Sequence, residues 1–176
     1  RPRVYARAVR GDAPVLEAIE ACYAETDMER WPRVAATALR RLVPCEVVVF
    51  NDVDPETGRI IAISDPDGWV PAWAYPVWAA YGTQNPLLRA ALAGDVTPYT
   101  WDDVIDRAEL ERLELWQQMY RPFGIADQLA VTITAPRPQV VAFTLNLAEG
   151  RFTREDRELA RALQPHLTRL TSNRER

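Results

Sequence analysis

The chain has 176 residues, 48% of them hydrophobic and 26% charged, with a net charge of −4. That is enough material for one globular domain with a sizeable core. No apolar run approaches the ~20 residues that cross a bilayer, and acidic and basic residues are interleaved rather than gathered into a basic stripe. A membrane partner and nucleic-acid contact by this segment are therefore not expected. The first residues form no apolar signal segment, so a cytoplasmic location is expected.

The elements alternate between helical and extended patterns. Residues 12–43 read as two helices. Asp12 and Pro14 suit the start of the first, whose Val15, Leu16, Ile19 and Tyr23 recur at helical spacing. The second, from about Met28 to Val43, carries Trp31, Val34, Ala38, Leu39 and Leu42, and Pro44 marks its end. Residues 45–64 read as a hairpin turning at Asp54-Pro55-Glu56-Thr57-Gly58. Residues 69–121 form a helical insert, with helices predicted over 71–81, 86–93 and 108–120. It contains five of the six tryptophans, Trp69, Trp73, Trp78, Trp101 and Trp116, together with Tyr75, Tyr81, Tyr99 and Tyr120. A second hairpin follows over 128–147. A final helix over 153–171 carries a stripe of Leu159, Leu163, Leu167 and Leu170, with a kink expected at Pro165.

The second hairpin alternates with period two, so each residue set lies on one sheet face. Leu129, Val131, Ile133, Phe143 and Leu145 form a large apolar face for the terminal helices. Gln128, Ala130, Thr132, Ala142 and Thr144 form a small, mildly polar face that only the aromatic insert is left to cover. The expected architecture is α+β: an antiparallel sheet with the N- and C-terminal helices on one face and the insert over the other. Small residues under a roof of rings leave room for a ligand. Close packing of the insert onto the sheet is the competing outcome. Trp73, Trp78, Tyr81, Trp101, Trp116 and Tyr120 are the candidate walls, and Gln128, Thr132 and Thr144 the candidate polar contacts. The leucines of the final helix are the candidate interface of a homodimer.

Catalytic chemistry finds little support. His166 is the only histidine and sits beside the leucine stripe, and no Gly-x-Ser-x-Gly elbow is present. Cys22 and Cys45 have neither metal-site nor redox spacing and read as buried reduced thiols. Asp102, Asp103 and Asp106 suit helix starts, where the macrodipole favours acids. No catalytic residue, metal or cofactor is expected.

The order of elements resembles a GAF domain, a sensor fold related to PAS. It is similar in particular to the amino-terminal sensor region of actinobacterial LuxR-type transcription regulators. The motifs that carry this are Asn85-Pro86-Leu87-Leu88, Tyr99-Thr100-Trp101-Asp102-Asp103, Tyr120-Arg121-Pro122-Phe123-Gly124, Phe152-Thr153-Arg154-Glu155-Asp156 and Gln164-Pro165-His166-Leu167. The resemblance implies a small-molecule sensor with an unknown, largely apolar or aromatic effector. It also implies a DNA-binding helix-turn-helix domain beyond Arg176. Trp78, Tyr81 and Asn85-Pro86 are also similar in order to the acyl-homoserine-lactone pocket of quorum-sensing regulators. There, an aspartate stands where this chain has Asn85. The missing carboxylate removes an acceptor for the lactone amide, so that ligand is not expected here. A ligand-free dimerisation module and a small enzyme are the alternative readings.

Overall fold

The computed structural model describes residues 13–133 and 139–172, so Asp12 and Thr134 lie outside the described residues. Helices α1 (Ala13–Ala24) and α2 (Trp31–Leu42) come first, followed by the hairpin β1 (Val47–Asp54) and β2 (Arg59–Asp65). The insert contains α3 (Ala74–Tyr81), α4 (Pro86–Leu92), a two-residue strand β3 (Tyr99–Thr100), α5 (Trp101–Val104), α6 (Arg107–Leu110), a π-helical turn over Trp116–Tyr120 and α7 (Arg121–Phe123). Strands β4 (Asp127–Ile133) and β5 (Val140–Leu147) lead to α8 (Arg154–Ser172).

The five strands form one antiparallel sheet in the order β2-β1-β5-β4-β3. The α+β architecture is as the sequence implies. Helices α2 and α8 lie on one face, and α1 packs across both. Leu129, Val131, Ile133, Phe143 and Leu145 meet them there, joined by Trp31, whose ring stands edge-on to Phe143 at 6.0 Å. Cys22 and Cys45 form no disulfide and are buried in this layer. Burial pushes the Cys45 thiol up to about 12, which keeps it protonated and a poor nucleophile.

Local chemistry sets the element ends. In the first hairpin, Asp54 Oδ1 accepts from the N–H groups of Glu56 and Thr57, and Gly58 takes a φ of 71°. Thr153 donates its N–H and hydroxyl to Asp156, which donates its N–H back to Thr153 Oγ1, so an aspartate fills the role expected of a capping box here. Helix α8 continues through Pro165 to Ser172.

Two expectations fail. The helix expected over 108–120 is broken after Leu110. The side chain of Gln84 accepts the N–H of Leu115 at 3.0 Å, and Pro122 supplies no N–H. The chain answers with a π turn in which Arg121 N–H reaches the Trp116 carbonyl. The leucine stripe of α8 is also not a free dimer surface. Leu163, Leu167 and Leu170 are buried in the chain's own core, and Leu159 packs against it. The sheet needs its apolar face covered, and α8 is the element that covers β4.

Candidate functional site

The second sheet face forms the floor of a cavity, and the insert forms its roof. The register places the floor residues in cross-strand rows. Asn146 and Gln128 share one row, Val49, Thr144 and Ala130 the next, and Asn51, Ala142 and Thr132 the third. Past them, Val53, Val140 and Leu88 close the far end as an apolar cluster. The cavity volume is about 80 Å³, inside a cleft of about 850 Å³ that includes space open to solvent. Among the described residues, no acidic, basic or histidine side chain lines it.

Five of the nine expected wall and contact residues meet at this cavity: Trp78, Tyr120, Gln128, Thr132 and Thr144. The other four do not line it. Trp101 and Trp116 pack edge-on at 5.4 Å inside a second core that belongs to the insert, with Leu110, Leu115 and Ile125, and Tyr81 packs against that core. Arg107 covers the Trp116 ring at 4.3 Å from its centroid. Trp73 is 43% exposed and rests on Phe123 outside the cavity. The insert is too large to be only a lid. It must bury rings internally to hold its own shape.

The polar contacts run further than the candidate set. Asn51, Asn85 and Asn146 also line the cavity. Asn146 lies on the same strand face as Ala142 and Thr144, so the period-two alternation already marks it. Asn85 precedes Pro86, a helix-start signal. Its Oδ1 accepts from the N–H groups of Leu87 and Leu88 at 2.8 and 3.3 Å, so its Nδ2 is the atom that donates to the Tyr120 hydroxyl at 2.7 Å. Burial drives the Tyr120 phenol well above its ordinary pKa, and the hydrogen bonds from Asn85 and Gln128 only partly oppose this. Tyr120 is therefore a neutral hydroxyl.

Glycine sets one wall. A Cβ on Gly82 would lie 2.8 Å from the Trp78 indole, so only glycine lets that ring lie across the helix end. At the mouth, Phe123 stacks on Trp69 at 4.6 Å and meets Trp73 at 4.8 Å. Gly68 and Gly124 flank this cluster at φ values of 72° and 70°. Both lie in the left-handed region that side chains disfavour.

The roof is tied to α8 and to the loop that leads into it. Arg151 pairs with Asp102 and Arg157 with Asp103. Gln164 Nε2 donates to the carbonyls of Val96 in the insert and Thr132 in the sheet. Among the described residues, no cluster of His, Cys, Asp and Glu could hold a metal ion, and no helix is long and apolar enough to cross a membrane.

No protein-family profile matches the sequence, and no curated protein matches it significantly. Solved structures do share the fold. The VqsR LBD domain from Pseudomonas aeruginosa has a TM-score of 0.70 at 14% identity, over 92% of this chain and 94% of that one. CepR2 from Burkholderia cenocepacia, described as an N-acylhomoserine-lactone-dependent LuxR-family transcription factor, has a TM-score of 0.63 at 13% identity, over 92% and 93%. The GAF domain of a phosphoenolpyruvate-protein phosphotransferase from Coxiella burnetii has a TM-score of 0.56 at 11% identity, over 92% of each chain. At these identities the likeness is one of fold, and the fold is GAF-like.

Proposed function

We propose that this chain is the small-molecule-sensing regulatory domain of a LuxR-type transcription regulator. Its effector is neutral and largely apolar, and it binds between the sheet and the aromatic insert. The observation that carries the reading is the uncharged cavity, whose amide and hydroxyl groups share one floor under rings and aliphatic side chains. An ion placed there would lose its hydration with no opposite charge to replace it. The fold shared with VqsR and CepR2 supports a sensor over an enzyme. DNA binding belongs, in this proposal, to a helix-turn-helix region outside the sequence. The regulator acts in the cytoplasm as a homodimer. Self-association must then use surfaces other than the leucine stripe, which is spent on the core.

The mechanism is a population shift. A ligand changes an equilibrium only through different contacts in its two states. The roof supplies that difference, because the insert that closes the cavity also carries the partners of Arg151, Arg157 and Gln164. Native mass spectrometry of the chain expressed in its source cells, followed by denaturation, tests the reading. A small neutral molecule released in stoichiometric amount supports it. A chain that carries no such molecule, and whose Trp78→Ala variant gives the same thermal response to a metabolite extract as the parent, refutes it.

A further inference from the structure

Gln128 carries a hydrogen-bonding capacity that the fold does not use. It lines the cavity and is 4% exposed, and its Oε1 is buried without a partner. The orientation of its amide is forced. Asn146 Nδ2 donates to the carbonyls of Thr144 and Val47, so Asn146 Oδ1 faces Gln128 and takes its Nε2 at 2.7 Å. Turning the Gln128 amide over would set two oxygens against each other. The free oxygen thus stays at the polar end of the floor. Such an orphan is costly, and native chains tolerate few of them. Beside it, Tyr120 accepts from Asn85 and from the amide nitrogen of Gln128, which leaves the phenol hydrogen for an acceptor.

We infer that Gln128 is the specificity-determining acceptor of the effector site: the effector is a neutral molecule that enters with a hydroxyl or N–H donor toward Gln128 Oε1. Its apolar body lies toward Val53, Val140 and Leu88. The inference rests on the proposed sensor function and adds the chemistry of the ligand's head. It also separates ligands of one size. A dry apolar cavity favours a methyl group over a hydroxyl, because a buried hydroxyl without a partner is penalised. A cavity with a waiting acceptor reverses that order.

Phenol and toluene differ only in this group, and benzoate adds the charge. Each is titrated into isotope-labelled protein, with the Gln128 side-chain amide resonance as the readout. Phenol is expected to bind about tenfold more tightly than toluene, the size of one hydrogen bond to an otherwise orphaned group, and benzoate not to shift the resonance. Gln128→Met, followed by the side-chain amide resonance of Asn146 on the same floor, should reverse the order of phenol and toluene. The order in the unaltered protein decides the matter even if that variant folds poorly. Toluene binding more tightly than phenol, or an equal preference with a buried water satisfying Gln128, overturns the inference and leaves the sensor reading standing. Benzoate binding most tightly overturns the neutral head. Failure of all three to shift any cavity resonance overturns the inference and the effector site together.

Discussion

Filling the floor of the cavity should stabilise the protein and blind it. Ala142 lies at the centre of the floor, between Asn51 and Thr132 in its row. Ala142→Val adds two carbons on a strand, where β-branched residues fit. At ~0.8 kcal/mol per buried methylene the upper limit is about 1.6 kcal/mol. About 1 kcal/mol is expected after rotamer loss, or a rise of roughly 2–4 °C in Tm for a chain of this size. Taking the ~30 Å³ share of a water as the size of each group, the two remove most of the 80 Å³ cavity. A thermal melt without ligand and a phenol titration check both halves. Loss of phenol binding with a higher Tm is the expected pair. A drop in Tm of more than about 1 kcal/mol equivalent would refute the reasoning, because it would mean that the insert already packs against Ala142 and that no usable space exists.

Three further outcomes follow from the same geometry. Leu167→Ala should destabilise the isolated chain by roughly 2–5 kcal/mol, with a Tm loss that does not depend on protein concentration; a loss that grows on dilution would restore a dimer role to the stripe. Gly82→Ala should force the Trp78 indole aside, lowering stability by roughly 1–3 kcal/mol and weakening phenol binding, as calorimetry would read. Asp103 is pushed up by burial, but hydrogen bonds from Thr100 and Arg157 outweigh this and hold it below its ordinary value. Its contribution is therefore fully present above the unfolded carboxylate pKa and is lost as pH falls through the lower folded one. The tryptophan near-ultraviolet signal of the insert should stay constant from pH 7 to about 5 and change only below about 4.

The sheet was legible in the sequence because its signal is local. Alternation alone assigns Leu129 and Val131 to one face and Gln128 and Thr132 to the other, and the structure agrees. The insert was less legible because its organisation is set by distant partners. Gln84 takes the N–H of Leu115, 31 residues later, where the broken helix resumes, and no window that contains only 108–120 could reveal this. The tryptophans show the same limit. Trp78 and Trp101 are equally aromatic, yet one walls the cavity and the other fills the insert's core. The leucine stripe misled for a related reason. A helix presents the same pattern to its own sheet as to a partner, so only the covered sheet face decides between them.

The size of the closed cavity constrains how a signal leaves it. An apolar cavity of ~150 Å³ admits a benzene ring, and this one offers about half of that. Phenol, and any larger effector, must therefore lift the insert before the site can close around it. The contacts strained by that movement are the ones that reach α8. Gln164 is the most exposed to it, because one amide bridges Val96 in the insert and Thr132 in the sheet. Gln164→Ala should therefore leave phenol affinity unchanged or somewhat higher, since the residue does not line the cavity and a contact that binding strains is gone. It should nevertheless abolish the ligand-induced change in hydrogen exchange along residues 160–172. If that change persists undiminished in Gln164→Ala, the coupling runs elsewhere, and the pairs Asp102–Arg151 and Asp103–Arg157 become the route to remove next. If phenol affinity falls tenfold instead, Gln164 acts on the cavity itself and not on its link to the last helix.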